Sequence, residues 1–278
     1  MNDIIKVACI QFAFKFIKTY SDFVDHVKIL LQNVVEADFA VFPENFTAEL
    51  QYIIPNRAMN KLPEFTDQYI ELFSKLADEF GMIIIAGTHL NIGDDGNLYN
   101  SSFLFFPDGK ILKHDKTHLF PIEKRAGITM GNELKVFSTN KGKIAIAICY
   151  EMEFPEITRL YTINGAEIVF CPSNTIGEHG FWRVRHCCQA RAIENQIYVV
   201  HSSMIGKAPL NGMDPWGKSS ILSPCELPWP SNGVIKEAEA NKEMVITANL
   251  DLKLLHKKRK RGAALNLVNR RPELYNLE

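Results

Sequence analysis

Short runs of β-branched and aromatic residues recur along this chain, and several are apolar at every position instead of at alternate ones. The clearest are Met82-Ile83-Ile84-Ile85-Ala86 and Ile144-Ala145-Ile146-Ala147-Ile148. A strand with one wet face alternates polar and apolar residues, whereas continuous apolarity demands cover on both faces of a sheet. Strands are therefore expected at residues 6–11, 38–42, 82–87, 102–106, 143–149, 167–171, 196–202 and 243–250, with a short one at 219–222. Helical patterns at 22–34, 64–80, 155–164 and 179–194 supply the cover. In the last of these, Phe181, Val184, Cys188 and Ala192 fall on one stripe. Pro107-Asp108-Gly109-Lys110, between two strand-like runs, signals a hairpin. The sum predicts an α/β fold of mixed strands with helices on the sheet faces. Residues 210–233, rich in Gly, Pro and Ser, are expected as loops, and 262–278 as an irregular tail along a surface or a partner subunit.

With 278 residues, 46% of them hydrophobic, the chain can bury a large core, and one large domain is expected. A formal net charge of −1 offers no global attraction to nucleic acid or anionic lipid. The basic run Lys257-Lys258-Arg259-Lys260-Arg261 follows an apparent helix from Asp251 and precedes Gly262, where cations favour the helix C-terminus. No apolar run is long enough to cross a bilayer, and the start lacks the basic and apolar regions of a secretory signal, so a cytoplasmic protein is expected. Six cysteines form no regular framework, and His186-Cys187-Cys188 is too compact for a tetrahedral metal site. Neither a metal nor an organic cofactor is expected.

Three segments set reactive side chains at strand ends, where α/β proteins build sites. Glu44 follows an apolar strand and Pro43; by itself it reads as a solvated loop carboxylate. Lys116 lies in the charged, Pro-containing stretch 113–123, which by itself reads as solvated surface. Cys149 ends an unbroken apolar run and precedes a Pro-led helix, a position open to a core thiol or to a reactive one. Jointly they contain the parts for acyl transfer. A thiol with an ordinary pKa of about 8.5 needs a base to attack near neutral pH. A carboxylate can take that proton and return it to a leaving amine, while an ammonium stabilises the oxyanion.

The segments Phe42-Pro43-Glu44, Lys116-Thr117-His118-Leu119-Phe120 and Cys149-Tyr150-Glu151 with Phe154-Pro155-Glu156 resemble, in order and context, the Glu–Lys–Cys signatures of the nitrilase superfamily of carbon–nitrogen hydrolases. Pro172-Ser173-Asn174, the run Gln189-Ala190-Arg191-Ala192-Ile193-Glu194-Asn195, and Asn269-Arg270-Arg271-Pro272-Glu273-Leu274-Tyr275 extend the likeness over nearly the whole chain. The resemblance implies a four-layer α-β-β-α sandwich that pairs into a homodimer or higher homo-oligomer, with the helices after Cys149 and near Phe181 and the tail at the interface. It implies Glu44 as general base, Lys116 as oxyanion stabiliser, Cys149 as nucleophile and Glu123 as a second glutamate supporting Lys116. It implies the Tyr150 backbone N–H in the oxyanion hole and a small-molecule amide as substrate; Asn174, which follows a strand end, and Phe120 are expected as further substrate contacts.

Cys149-Tyr150-Glu151 looks like the amidase branches, and the 183–198 region resembles a branch often fused to an acetyltransferase domain, for which this chain has no room. Glu153 stands where ω-amidase-like sequences often carry arginine, which counts against a simple transfer of dicarboxylate-amide substrates. A catalytically idle partner and an amine acyltransferase are the rival readings. His118 is expected to be structural, Cys171 a packing residue, and Trp182 to belong either to the core or to the pocket.

Overall fold

The computed structural model describes residues 3–34, 36–210 and 212–275. Met1 and Asn2 of the expected leaderless start, Asn211 of the loop region and residues 276–278 of the tail lie outside the described residues.

Strand β1 (Ile4–Phe14) organises the architecture because its two faces enter different cores. Ile5, Val7 and Cys9 face one; Ala8, Ile10 and Phe12 face the other. In the first sheet β1 pairs antiparallel with β13 (Met244–Asp251) and parallel with β2 (Phe39–Val41). Next come β3 (Ile83–Ile85) and β5 (Leu98–Phe105), and β5 also pairs with β4 (His89–Ile92) and β6 (Ile111–Asp115). The second sheet contains β7 (Val136–Thr139), β8 (Gly142–Ile146), β9 (Ile168–Ser173), β10 (Tyr198–Gly206), β11 (Ser220–Leu222) and β12 (Val234–Glu237). The sheets join where Phe12–Phe14 run parallel to Met204–Gly206.

Helices α1 (Tyr20–Gln32) and α2 (Thr66–Phe80) cover the outer face of the first sheet. A reciprocal pair of hydrogen bonds between Thr19 and Asp22 starts α1, whose buried stripe is Phe23, Val27, Leu30 and Leu31. Helices α4 (Pro155–Ile163) and α5 (Gly177–Asn195) back the second sheet. Between the sheets Phe39 and Phe170 meet with ring centroids 5.4 Å apart. The layers therefore run helix, sheet, sheet, helix, the expected four-layer α-β-β-α sandwich. The short α3 (Pro121–Arg125) borders the strand ends. In α6 (Leu252–Arg261) the basic last turn is partly tied down, because Arg259 donates to the carbonyls of Gln196 and Ala166 at 2.8 and 2.9 Å.

Two expectations need adjustment. The strand anticipated at 143–149 stops at Ile146: the Ile148 N–H goes to Glu151 Oε2 at 2.6 Å, and Cys149, at φ +47°, opens a 3-10 turn, Cys149–Glu153. The helix anticipated from residue 64 begins at Thr66, after a 3-10 stretch, Met59–Phe65, that contains Pro63. No helix among the described residues is long and apolar enough to cross a membrane.

Candidate active site

Strand ends bring the three reactive side chains together. Glu44 follows β2, Lys116 follows β6, and Cys149 follows β8. All three border one open cavity of about 380 Å³, with Glu123, Tyr150, Asn174 and Phe120 also in its wall. The polar composition of 113–123 suggests solvent, yet Lys116 is only 2% exposed. Its ammonium is enclosed by one distant acceptor and one near neighbour: Nζ donates to Glu44 Oε1 at 2.7 Å and to Glu123 Oε2 at 2.6 Å. Glu44, also 2% exposed, is no solvated loop carboxylate.

Asn100, inside β5, completes this network. Its Nδ2 donates to Glu44 Oε1, the oxygen that also accepts from Lys116, at 3.1 Å and to Glu123 Oε1 at 2.8 Å, bridging the two carboxylates. Glu123 is fixed further by the Phe120 N–H at 2.8 Å. Glu44 Oε2 accepts the backbone N–H of Asn174 at 3.0 Å. The Asn174 carbonyl in turn lies 3.9 Å from the Cys149 Sγ, and Ser173 Oγ donates to the same sulfur at 3.3 Å. One strand end thus touches both the carboxylate and the thiol.

Burial dominates the protonation of this cluster. It pushes Glu44 above the usual carboxylate range against the pull of Lys116. Burial opposes the Lys116 charge as well, but Glu44 and Glu123 outweigh it and hold the ammonium above its ordinary value. The Cys149 thiol is raised by burial and then by Glu44, with Lys116 and Ser173 pulling the other way. At rest the site therefore holds a neutral thiol beside a carboxylate of enhanced basicity and a fixed cation. Such a set can move a proton off sulfur only as the sulfur attacks, with the ammonium beside the developing charge.

The turn carrying Cys149 is held by a residue to which sequence reasoning assigned no role. Glu151, wholly buried, accepts from the Ile148 N–H at 2.6 Å, from the Thr117 N–H at 2.7 Å and from the Thr117 hydroxyl at 2.6 Å, and it pairs with His114 Nε2 at 3.0 Å. It fastens the Lys116 segment to the Cys149 turn. Burial alone would raise its pKa, but His114 and these donors hold it down at about 2. Asn100 escaped sequence reasoning and Ser173 was assigned no role by it, since a polar residue inside a strand carries no local signal of its partners.

The remaining expected residues sort clearly. Tyr150 and Phe120 meet edge to face with centroids 5.3 Å apart in the cavity wall. His118 packs on Phe154 and lies outside the cavity lining, and Trp182 stacks on His186 and likewise does not line it. Among the described residues, potential metal ligands gather once: Cys171, Cys188 and His201 bring ligand atoms within 4.8 Å of one another in the buried layer beneath α5. Burial holds His201 neutral, with its pKa near 3, and raises the Cys171 thiol, in the core behind the site. All six cysteines are free thiols.

Comparison with known proteins bears on the family and the fold of this chain. The carbon–nitrogen hydrolase family model matches residues 6–260. A probable hydrolase, YhcX of Bacillus subtilis, is 38% identical over 99% of this chain; the chain spans 55% of that relative's length. The omega-amidase NIT2-A of Xenopus laevis is 29% identical, with 98% of this chain and 97% of that protein covered. Among solved structures, XC1258 of Xanthomonas campestris, a superfamily protein with an arsenic adduct in its active site, superposes with a TM-score of 0.82 over 99% of both chains at 19% identity. Nit3 of Saccharomyces cerevisiae, described as a member of branch 10 of the nitrilase superfamily, gives 0.75 over 92% and 93% at 24% identity. At those identities the structural likenesses establish the fold.

Proposed function

The chain belongs to the carbon–nitrogen hydrolase family, and from that premise we propose that it cleaves a non-peptide amide bond of a small molecule through a thioester on Cys149. The observation that carries this reading is the convergence of Glu44, Lys116, Glu123 and Cys149 on one cavity. The substrate carbonyl lies against Cys149 with its oxygen toward Lys116 and the Tyr150 N–H. As sulfur attacks, its proton passes to Glu44, which the buried setting makes a stronger base than an ordinary glutamate. Negative charge moves from the carboxylate to the carbonyl oxygen, and the Lys116 ammonium remains within reach of both. Glu44 then delivers the proton to the departing nitrogen, leaving an acyl–Cys149 thioester. A water that gives its proton to Glu44 attacks this thioester, and the acid leaves as the thiol re-forms. Glu123 and Asn100 touch the catalytic cation and base, holding both in place.

The test is intact mass during turnover of a panel of small amides. The wild-type protein is expected to show a transient acyl adduct that Cys149→Ala lacks, with turnover lost by more than about 10³-fold. Full turnover by Cys149→Ala sinks the proposal. We also read the chain as one hydrolase unit that pairs with a second copy through α4, α5 and the tail from residue 262. The support is apolar exposure there: Leu160 and Ile163 on α4 and Val268, Leu274 and Tyr275 in the tail are all open to solvent.

A further inference from the structure

The two ends of the cavity have opposite chemistry. At the inner end Glu44, Lys116, Glu123 and Cys149 crowd together, already bonded to one another and to Asn100 and Asn174. Beyond them the wall is built largely from apolar side chains, among them Phe14, Met59, Leu62, Leu90, Leu210 and Met213. Among the described lining residues the permanent cations are Lys116 and Arg183, and both are engaged. Lys116 faces two carboxylates, while Arg183 Nε donates to Glu153 Oε1 at 2.8 Å, with its guanidinium 5.9 Å from the centre of the Phe120 ring. Against these two cations stand three carboxylates, Glu44, Glu123 and Glu153.

An acyl group ending in a carboxylate would shed hydration here, meet an excess of negative charge and find no unpaired cation. An uncharged chain meets no such penalty and gains from burial against the apolar wall. The inner end restricts the other half of the substrate. The carboxylate that must reach the leaving nitrogen is hemmed in by three donors, which leaves space for ammonia more readily than for a substituted amine.

Building on the thioester reading above, we propose that this site takes primary carboxamides with an uncharged, apolar acyl group. Glu153 determines that specificity by neutralising Arg183, which would otherwise hold an acyl carboxylate at the cavity mouth.

The experiment compares kcat/KM for isocaproamide with that for succinamate, its shape-matched anionic counterpart, and with N-propyl isocaproamide. It uses the wild type, Glu153→Gln, and Glu153→Gln combined with Arg183→Gln, each checked for folding by circular dichroism and for adduct formation by intact mass. The wild type is expected to prefer isocaproamide to succinamate by about 100-fold, and to its N-propyl derivative by at least about tenfold. Glu153→Gln unmasks the guanidinium and is expected to narrow the isocaproamide-to-succinamate ratio by roughly tenfold or more, a gain that the double variant loses. Wild-type use of succinamate as readily as isocaproamide overturns the inference, as does a folded Glu153→Gln with an unchanged ratio. Equal use of the N-propyl amide overturns its primary-amide part. These results with a Cys149 adduct present leave the thioester reading standing; absence of any adduct and turnover across the panel defeats both.

Discussion

At the scale of single residues, this site is a lesson in how much depends on groups that never meet a substrate. Asn100 donates to Glu44 and Glu123 together, and both contacts favour the charged carboxylates. Asn100→Ala removes them, so Glu44 should bind its proton more tightly and the acid limb of the kcat/KM profile should move to higher pH. A fall in kcat of about 10- to 100-fold is expected with it, read from pH-dependent steady-state kinetics. An acid limb unmoved in a folded variant would show that Asn100 has no part in tuning the base. Glu151 makes a prediction of opposite sign. Its folded pKa, about 2, lies below that of an ordinary glutamate, so its stabilisation is complete above roughly pH 5 and drains away as pH falls toward 2. The shift corresponds to something on the order of 3 kcal/mol. Glu151→Gln should lose about that much at pH 7 and become less sensitive to acid between pH 5 and 3, as measured by urea unfolding at each pH. These residues also mark the limit of sequence reading. Glu44, Lys116 and Cys149 were legible through their motifs, but the burial of Lys116 was not, because its partner Glu44 lies 72 positions away. A charged stretch looks solvated until the fold surrounds it.

The elements were more legible than their ends. Unbroken apolar runs correctly foretold strands buried on both faces, and helical spacing located α1, α2, α4 and α5. One misplaced end was that of β8, whose apolar pattern runs on to Ile148 although the ladder stops at Ile146. Hydrophobic periodicity reports burial, and Ala147 and Ile148 are buried without being strand. A similar dependence of the site on backbone geometry occurs after β3. Gly87 has φ +51°, and a Cβ placed there would lie 2.0 Å from the Pro43 carbonyl oxygen and 2.7 Å from Phe46. Both belong to the segment carrying Glu44, so Gly87→Ala should displace Glu44, the proposed base, as well as strain the fold. A loss of about 3 kcal/mol or more in urea unfolding is expected, with activity falling even at temperatures where the variant remains folded. Stability within about 0.5 kcal/mol of wild type would refute the packing argument.

At the scale of the molecule, the layered architecture follows from a chain that hides two sheets from water with helices on only their outer faces. Whether a second copy adds to that cover is a matter of surface. Leu160 and Ile163 on α4 are 46% and 51% exposed, a turn apart on the same helix. Replacing both with Asp should turn a dimer into a monomer in light scattering after size exclusion, with little change in circular dichroism. A wild-type monomer, or a dimer that survives the double substitution, would argue against this face as the contact. The mixed α/β class was readable from alternation of apolar runs and amphipathic segments. The joining of the sheets through β1 and β10 was not, because those parallel partners lie far apart in sequence and pair over a few residues at their ends.

The separation between the bonded polar cluster and the apolar walls has a consequence for how such a protein can diversify. Among the described residues, no hydrogen bond ties Glu44, Lys116, Glu123, Asn100 or Cys149 to the 3-10 stretch Met59–Phe65 or to the strap carrying Leu210 and Met213. Those walls can be rewritten one side chain at a time while the reacting groups keep their alignment. A lineage, or a laboratory library confined to these two segments, can reshape the cavity without first rebuilding the bonded cluster.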